Sequence, residues 1–147
     1  MAQAYASAVI DAPIDAVWEI IRDFNGLPNW HPMVARSEIE DGRQADAVGA
    51  IRSFYFVEDG RHVRERLIAL NDQERMFAYA FILPAFPVEN YVGTMHLLPV
   101  TNGDHTFAEW SATFDEAPND KGKYVDIISN GAFATGLKAL QDKLRDR

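Results

Sequence analysis

Residues 117–147 read APNDKGKYVDIISNGAFATGLKALQDKLRDR, and this stretch decides the fold. No proline follows Pro118. Apolar side chains recur at Tyr124, Ile128 and Ala132, then at Phe133, Leu137, Leu140 and Leu144. Steps of three and four are the period of an amphipathic helix. Asp120 falls in its first turn and Lys143, Arg145 and Arg147 in its last, which matches the helix dipole. The middle is unusual: Gly131, Ala132, Ala134, Thr135 and Gly136 stand where a packed helix carries leucine. A mid-helix glycine costs about 1 kcal/mol against alanine. The pattern predicts a long helix with a thin apolar face, lying as a lid over a hollow.

The chain ahead of this helix supplies what it covers. Residues 3–10 alternate weakly and read as a strand. Pro13 then opens a helix whose apolar stripe is Val17, Ile20, Ile21 and Phe24, and Asn25-Gly26 ends it. Residues 27–31, bounded by Gly26, Pro28 and Pro32, form a turn or a second, very short helix. From Met33 the period changes to two. Strands are predicted at 33–40, 50–57, 61–70, 76–83, 90–100 and 106–115, separated by turn signals such as Asp41-Gly42, Asp59-Gly60 and Asn71-Asp72. Short loops between successive strands predict an antiparallel meander. The expected fold is a single α+β domain over residues 1–147. In it a curved seven-stranded antiparallel sheet wraps around the long C-terminal helix, with two short helices after the first strand.

Composition narrows the function. A formal charge of −8 argues against a nucleic-acid or anionic-membrane surface. With no cysteine there is no disulfide, thiolate nucleophile or cysteine metal site. His31, His62, His96 and His105 show no metal-ligand spacing, and no phosphate loop or dinucleotide fingerprint is present. Neither a signal peptide nor an apolar run of about 20 residues occurs. The expectations are a cytoplasmic protein without cofactor, metal or membrane insertion.

Alternation assigns the faces of the strands. In 61–70, Val63, Glu65, Leu67 and Ala69 point inward and Arg64 and Arg66 outward. In 76–83 the inward set is Phe77, Tyr79 and Phe81. In 50–57 either Phe54 and Phe56 or Tyr55 and Val57 face in. The last hairpin has two readings. A two-residue Asn102-Gly103 turn places His96 opposite Glu109 and puts Tyr91 on the face of Trp110. A three-residue turn from Thr101, with Gly103 left-handed, puts Tyr91 and Glu109 on one face, and His96, Trp110 and Phe114 on the other.

The order of these pieces resembles the helix-grip fold of the START/Bet v 1-like (SRPBCC) superfamily, in its bacterial polyketide cyclase/dehydrase-like branch. The resemblance covers essentially the whole chain. It rests on Ala12-Pro13 through Val17-Trp18, Trp30-His31-Pro32, Val48-Gly49, Arg64-Glu65-Arg66-Leu67, Asn90-Tyr91 and Glu109-Trp110. It implies a cavity lined by Phe54, Phe56, Glu65, Tyr79, Phe81, Tyr91 and Glu109, with Ile128, Ala132 and Gly136 facing it from the helix. It also favours the three-residue turn. The plant abscisic-acid receptors are similar at greater distance. Their ligand-pairing lysine falls at Ala35 here, and their gate loop is replaced by Val57-Glu58-Asp59-Gly60-Arg61, which argues against hormone reception.

Two functions follow as expectations. One is binding of a small hydrophobic or aromatic molecule, polyketide-like or lipid-like, with Glu65, Glu109, Tyr79 and Tyr91 as polar contacts. The other is a cyclase, dehydratase or isomerase using Glu65 and Glu109 as an acid–base pair. That second reading requires both glutamates at one enclosed spot, unpaired with Arg52. Trp110 and Phe114, placed outside by the three-residue turn beside Val92 and Leu98, form a candidate homodimer strip.

Overall fold

The computed structural model describes residues 1–145, so Arg147, expected in the helix's last turn, lies outside the described residues. Strand β1 (Ala2–Ile10) leads through Pro13 into helix α1 (Ile14–Ile21) and a 3-10 turn at Leu27–Asn29. Six strands follow: β2 (Val34–Ile39), β3 (Ile51–Phe56), β4 (His62–Asn71), β5 (Met76–Leu83), β6 (Glu89–Val100) and β7 (His105–Asp115). The sheet order is β1-β7-β6-β5-β4-β3-β2 and every pairing is antiparallel. The architecture is the helix-grip α+β fold expected from the element order.

The C-terminal helix is not regular. It comprises α2 (Lys123–Asp126), a π-helical segment at Ile127–Phe133, and α3 (Ala134–Arg145). The π turn has a reason in the sequence. Ile128, Phe133, Gly136, Leu137, Leu140 and Leu144 are all buried, and the step from 128 to 133 is five residues. A regular helix leaves those two apolar runs about one position out of phase; one wide turn brings both onto the sheet. The same helix protects an edge of the sheet. Ser129 Oγ accepts the Tyr5 N–H at 3.0 Å, and Gln141 Nε2 donates to the Val9 carbonyl at 2.8 Å.

The last hairpin overturns the register favoured at the sequence level. Val100 pairs with His105, so the loop holds four residues, 101–104, with Gly103 at φ 96° and Asp104 at φ 55°. Pairing then follows the register of an even-numbered turn, with Met95 opposite Trp110 and His96 opposite Glu109. One residue of slip exchanges every side chain between faces. Trp110, Ala112 and Phe114 are therefore buried beside Tyr91 and Met95, while Glu109 sits on the outer face. Burying two aromatic rings in place of a carboxylate is what the hydrophobic effect favours. The expected dimer strip loses its rings. Val92 and Leu98 stay partly exposed on the outer face, without Trp110 and Phe114.

Candidate functional site

A hollow of about 50 Å³ lies between the sheet and the π-helical segment. Its floor is Phe54, Glu65, Tyr79, Phe81, Tyr91 and Trp110, and its roof is His31, Ala132 and Phe133. Met33, Phe56, Ala85 and Phe86 stand around it, with Arg52 at one end. The rings hold one another. Phe81 stacks on Tyr91 at 3.8 Å between centroids, and Trp110 stacks on Phe133 at 4.5 Å. A water needs roughly 10–15 Å³ of such space, and a cavity of about 150 Å³ holds benzene. In this conformation the hollow therefore has room for a few waters and none for an aromatic ring.

The wall nearest the β3–β4 turn is pinned by Arg61. Its guanidinium donates to the Ala85 carbonyl and lies 5.0 Å from the Phe56 ring centroid and 5.9 Å from that of Phe86. Phe56 and Phe86 are only half-buried. Met33 and Phe56 also line the adjoining surface dimple, so the hollow comes nearest to solvent there.

The polar centre is an ion pair. Arg52 Nε and Nη2 each lie 2.7 Å from Glu65 Oε1, and Nη1 donates to the Phe24 carbonyl at 3.0 Å. The guanidinium also stacks 4.0 Å from the Phe24 ring centroid and 5.1 Å from that of Tyr79. Both side chains are almost wholly buried, at 3% and 6% exposed. Burial pushes the Glu65 carboxyl up, and Arg52 opposes the shift. The pair remains ionised, because a protonated Glu65 would leave a permanently charged guanidinium buried without a counter-ion. Beside it Trp110 Nε1 donates to the Tyr79 hydroxyl at 2.9 Å, and the Tyr79 and Tyr91 hydroxyls share a bond at 3.3 Å. Burial raises both phenols well above their ordinary value, so both are neutral.

His31, from the Trp30-His31-Pro32 segment, is a buried strut. Its Nε2 lies 2.9 Å from the Ala132 carbonyl and must carry the proton, so Nδ1 accepts the Met33 N–H at 3.3 Å. Desolvation lowers its pKa to about 4, helped by the charge of Arg52, although the Ala132 carbonyl works the other way. The folded pKa lies below the ordinary value of 6.5, so the unfolded chain binds the extra proton between those limits. Stability should therefore fall as pH drops from 6.5 toward 4, with a slope of one proton. Urea titrations across that range should show the slope in the wild type and its loss in His31→Gln. An equal slope in the variant assigns it to other groups.

The sequence-level candidates separate into three sets. Phe54, Phe56, Glu65, Tyr79, Phe81, Tyr91 and Ala132 all line the hollow. Ile128 is fully buried but packs in the core beside it, and Gly136 is a site of close approach. A Cβ added at Gly136 would stand 2.6 Å from His31 Cδ2 and 2.9 Å from Trp110 Cζ3, so this glycine admits two rings and does not set the cavity's depth. Gly131 faces open space, which removes it from any thin apolar face.

Glu109 does not belong to the hollow. Its Oε2 accepts from the Tyr5 hydroxyl at 2.7 Å, and its Oε1 lies 3.1 Å from His96 Nδ1, all on the outer side of the sheet. These bonds lower its pKa, the Tyr5 hydroxyl most of all. With Glu65 paired to Arg52 and Glu109 on the opposite face, the acid–base pair has no geometry to work in. Trp110 and Phe133 are lining residues that the sequence reading missed. The register error hid Trp110, and the π turn hid Phe133. Arg52 entered that reading only as the partner whose pairing with the glutamates rules out the acid–base pair.

A family model described as polyketide cyclase/dehydrase and lipid transport matches residues 1–145. An uncharacterised protein of Bacillus thuringiensis is similar at 32% identity and a TM-score of 0.88, over 99% of this chain and 100% of that one. The Bacillus cereus protein XoxI is also 32% identical, with a TM-score of 0.89 over 99% of this chain and 97% of its own. A point mutant of Thalictrum flavum norcoclaurine synthase, solved with a transition-state analogue, aligns at a TM-score of 0.76 over 99% of this chain and 94% of its own. At 20% identity that likeness shows the Bet v 1-like fold alone. No helix among the described residues is long and apolar enough to cross a membrane.

Proposed function

The chain belongs to the polyketide cyclase/dehydrase and lipid-transport family, and on that premise we propose that it binds a small hydrophobic or aromatic molecule between the sheet and the C-terminal helix. One observation carries the reading. Aromatic rings from β3, β5, β6 and β7 converge on a hollow whose charged side chains are the paired Arg52 and Glu65. A folded core has no need of such a pair, since apolar residues of similar volume are often as stable or more so. A binding site needs a few fixed polar groups on apolar walls.

Because the hollow is near 50 Å³ and small-molecule sites run to about 300–1,000 Å³, binding must widen it. The half-buried Phe56, Phe81 and Phe86, with Arg61 beside them, form the part of the wall nearest solvent, where widening disturbs the least buried surface. The π-helical roof is a second element of interest, since single wide turns inside helices occur frequently at functional sites. The proposal is binding without chemistry.

Thermal denaturation with a panel of flat aromatic and long-chain compounds tests it. A ligand at a hundred times its Kd stabilises by about 2.7 kcal/mol, and it should also move the NMR signal of the Trp110 indole proton, which lies within the hollow. If no compound raises the melting temperature or moves that signal, the reading fails.

A further inference from the structure

Two polar groups that line the hollow keep hydrogen-bonding capacity that their protein partners do not use, and together they outline the polar end of a ligand. Both Arg52 contacts converge on Glu65 Oε1. Glu65 Oε2 accepts no hydrogen bond among the described residues. The tyrosines show a matching excess of donors. The Trp110 indole N–H, which can only donate, is given to the Tyr79 oxygen, and the Tyr79 and Tyr91 hydroxyls share a single bond. Two hydroxyl protons thus have one acceptor between them. Whichever way that bond runs, one O–H remains unmet. Glu65, Tyr79 and Tyr91 are 4%, 2% and 5% exposed, and all three line the same hollow. A spare acceptor and a spare donor thus belong to residues that line one hollow.

We propose that the ligand is a neutral molecule whose apolar body carries a hydroxyl group, donating to Glu65 Oε2 and accepting from the tyrosine pair. This rests on the binding reading above and adds the chemical class. A hydroxyl supplies one donor and two acceptor lone pairs, which meets both unmet groups at once. A carboxylate would bring a second negative charge beside Glu65, where Arg52 is already neutralised. A hydrocarbon offers neither bond. Water has the same hydrogen-bonding pattern as the hydroxyl, and the hollow has room for it. A hydroxyl that displaces such a water reproduces its bonds; a hydrocarbon that does so loses them.

Three probes of one shape make the test: 2-naphthol, naphthalene and 2-naphthoate, each titrated at neutral pH with the Trp110 indole signal as readout. Hydrogen bonds to charged groups predict that 2-naphthol binds at least roughly tenfold tighter than naphthalene, with 2-naphthoate weakest. In Glu65→Gln the volume is kept but Arg52 loses its counter-ion, so 2-naphthoate should become the strongest of the three. Equal affinity of 2-naphthol and naphthalene for the wild type overturns the inference and leaves the hollow as a binder of apolar bodies. Tightest binding of 2-naphthoate to the wild type overturns it too, with Arg52 as the anchor. No binding of any probe also overturns it, while the wider panel decides separately whether the hollow binds anything. The wild-type comparison is decisive by itself should the glutamine variant not fold.

Discussion

Replacing Glu65 with alanine should destabilise the protein by about 3–5 kcal/mol, the range for leaving one member of a buried ion pair unpaired. The guanidinium of Arg52 would retain the Phe24 carbonyl at 3.0 Å and the ring faces of Phe24 and Tyr79, but no counter-charge. Ring faces contribute on the order of 2 kcal/mol to a desolvated cation, well short of what ionic desolvation costs. The double replacement Arg52→Met with Glu65→Leu should cost far less than Glu65→Ala, because it removes both charges and keeps the volume. Urea denaturation of the three proteins with an unchanged m-value is the measurement. A loss below about 1 kcal/mol in Glu65→Ala, the scale of an exposed pair, would mean that bulk solvent screens Arg52 and the pair is not a buried one. The contrast within this chain is Arg64 with Glu40, a two-pronged pair at 2.6 and 2.8 Å on the outer face. Its removal should change stability little, because both partners are screened by solvent.

Gly136→Leu should destabilise the fold by about 3 kcal/mol, although the thin-helix pattern by itself predicts a variant that merely fills a cavity. A Cβ alone would stand 2.6 Å from His31 and 2.9 Å from Trp110. Neither ring can move freely. His31 is tied to the Ala132 carbonyl at 2.9 Å, and the Trp110 indole is tied to the Tyr79 hydroxyl at 2.9 Å while its ring stacks on Phe133. Overpacking of a well-filled core costs about 1–3 kcal/mol, occasionally more, and two tethered rings place this site at the upper end. Thermal melts should show a lower midpoint for Gly136→Leu and a smaller loss for Gly136→Ala. A leucine variant as stable as the wild type would show that the roof moves aside, and that the helix position itself is adjustable.

Much of the fold was legible because it follows from local periodicity. The stripe at Val17, Ile20, Ile21 and Phe24, the period-two runs and the turn residues between them are properties of neighbours along the chain. They were enough for the element order, the antiparallel meander and the inward positions of Glu65, Tyr79 and Phe81. Even the π turn left a trace. Two apolar runs in residues 124–144 are offset by one residue, and a single wide turn is the way to bring both onto one sheet.

The sequence by itself determined a seven-stranded sheet around a C-terminal helix and the aromatic character of the space between them. Only the tertiary structure decided which side of β7 faces that space. The sequence allows a two-residue and a three-residue turn here, which differ by one step of register; the four-residue loop of the structure keeps the register of the first. That step moved Glu109 to the outer face with Tyr5 and His96, and brought Trp110 inside to Tyr79. The choice rests on burial summed over the whole strand, which favours two aromatic rings inside over a carboxylate. The pairing of Arg52 with Glu65 was settled the same way, since β3 and β4 bring those two positions opposite each other. Contacts between residues distant in sequence depend on register, and register is a property of the assembled sheet.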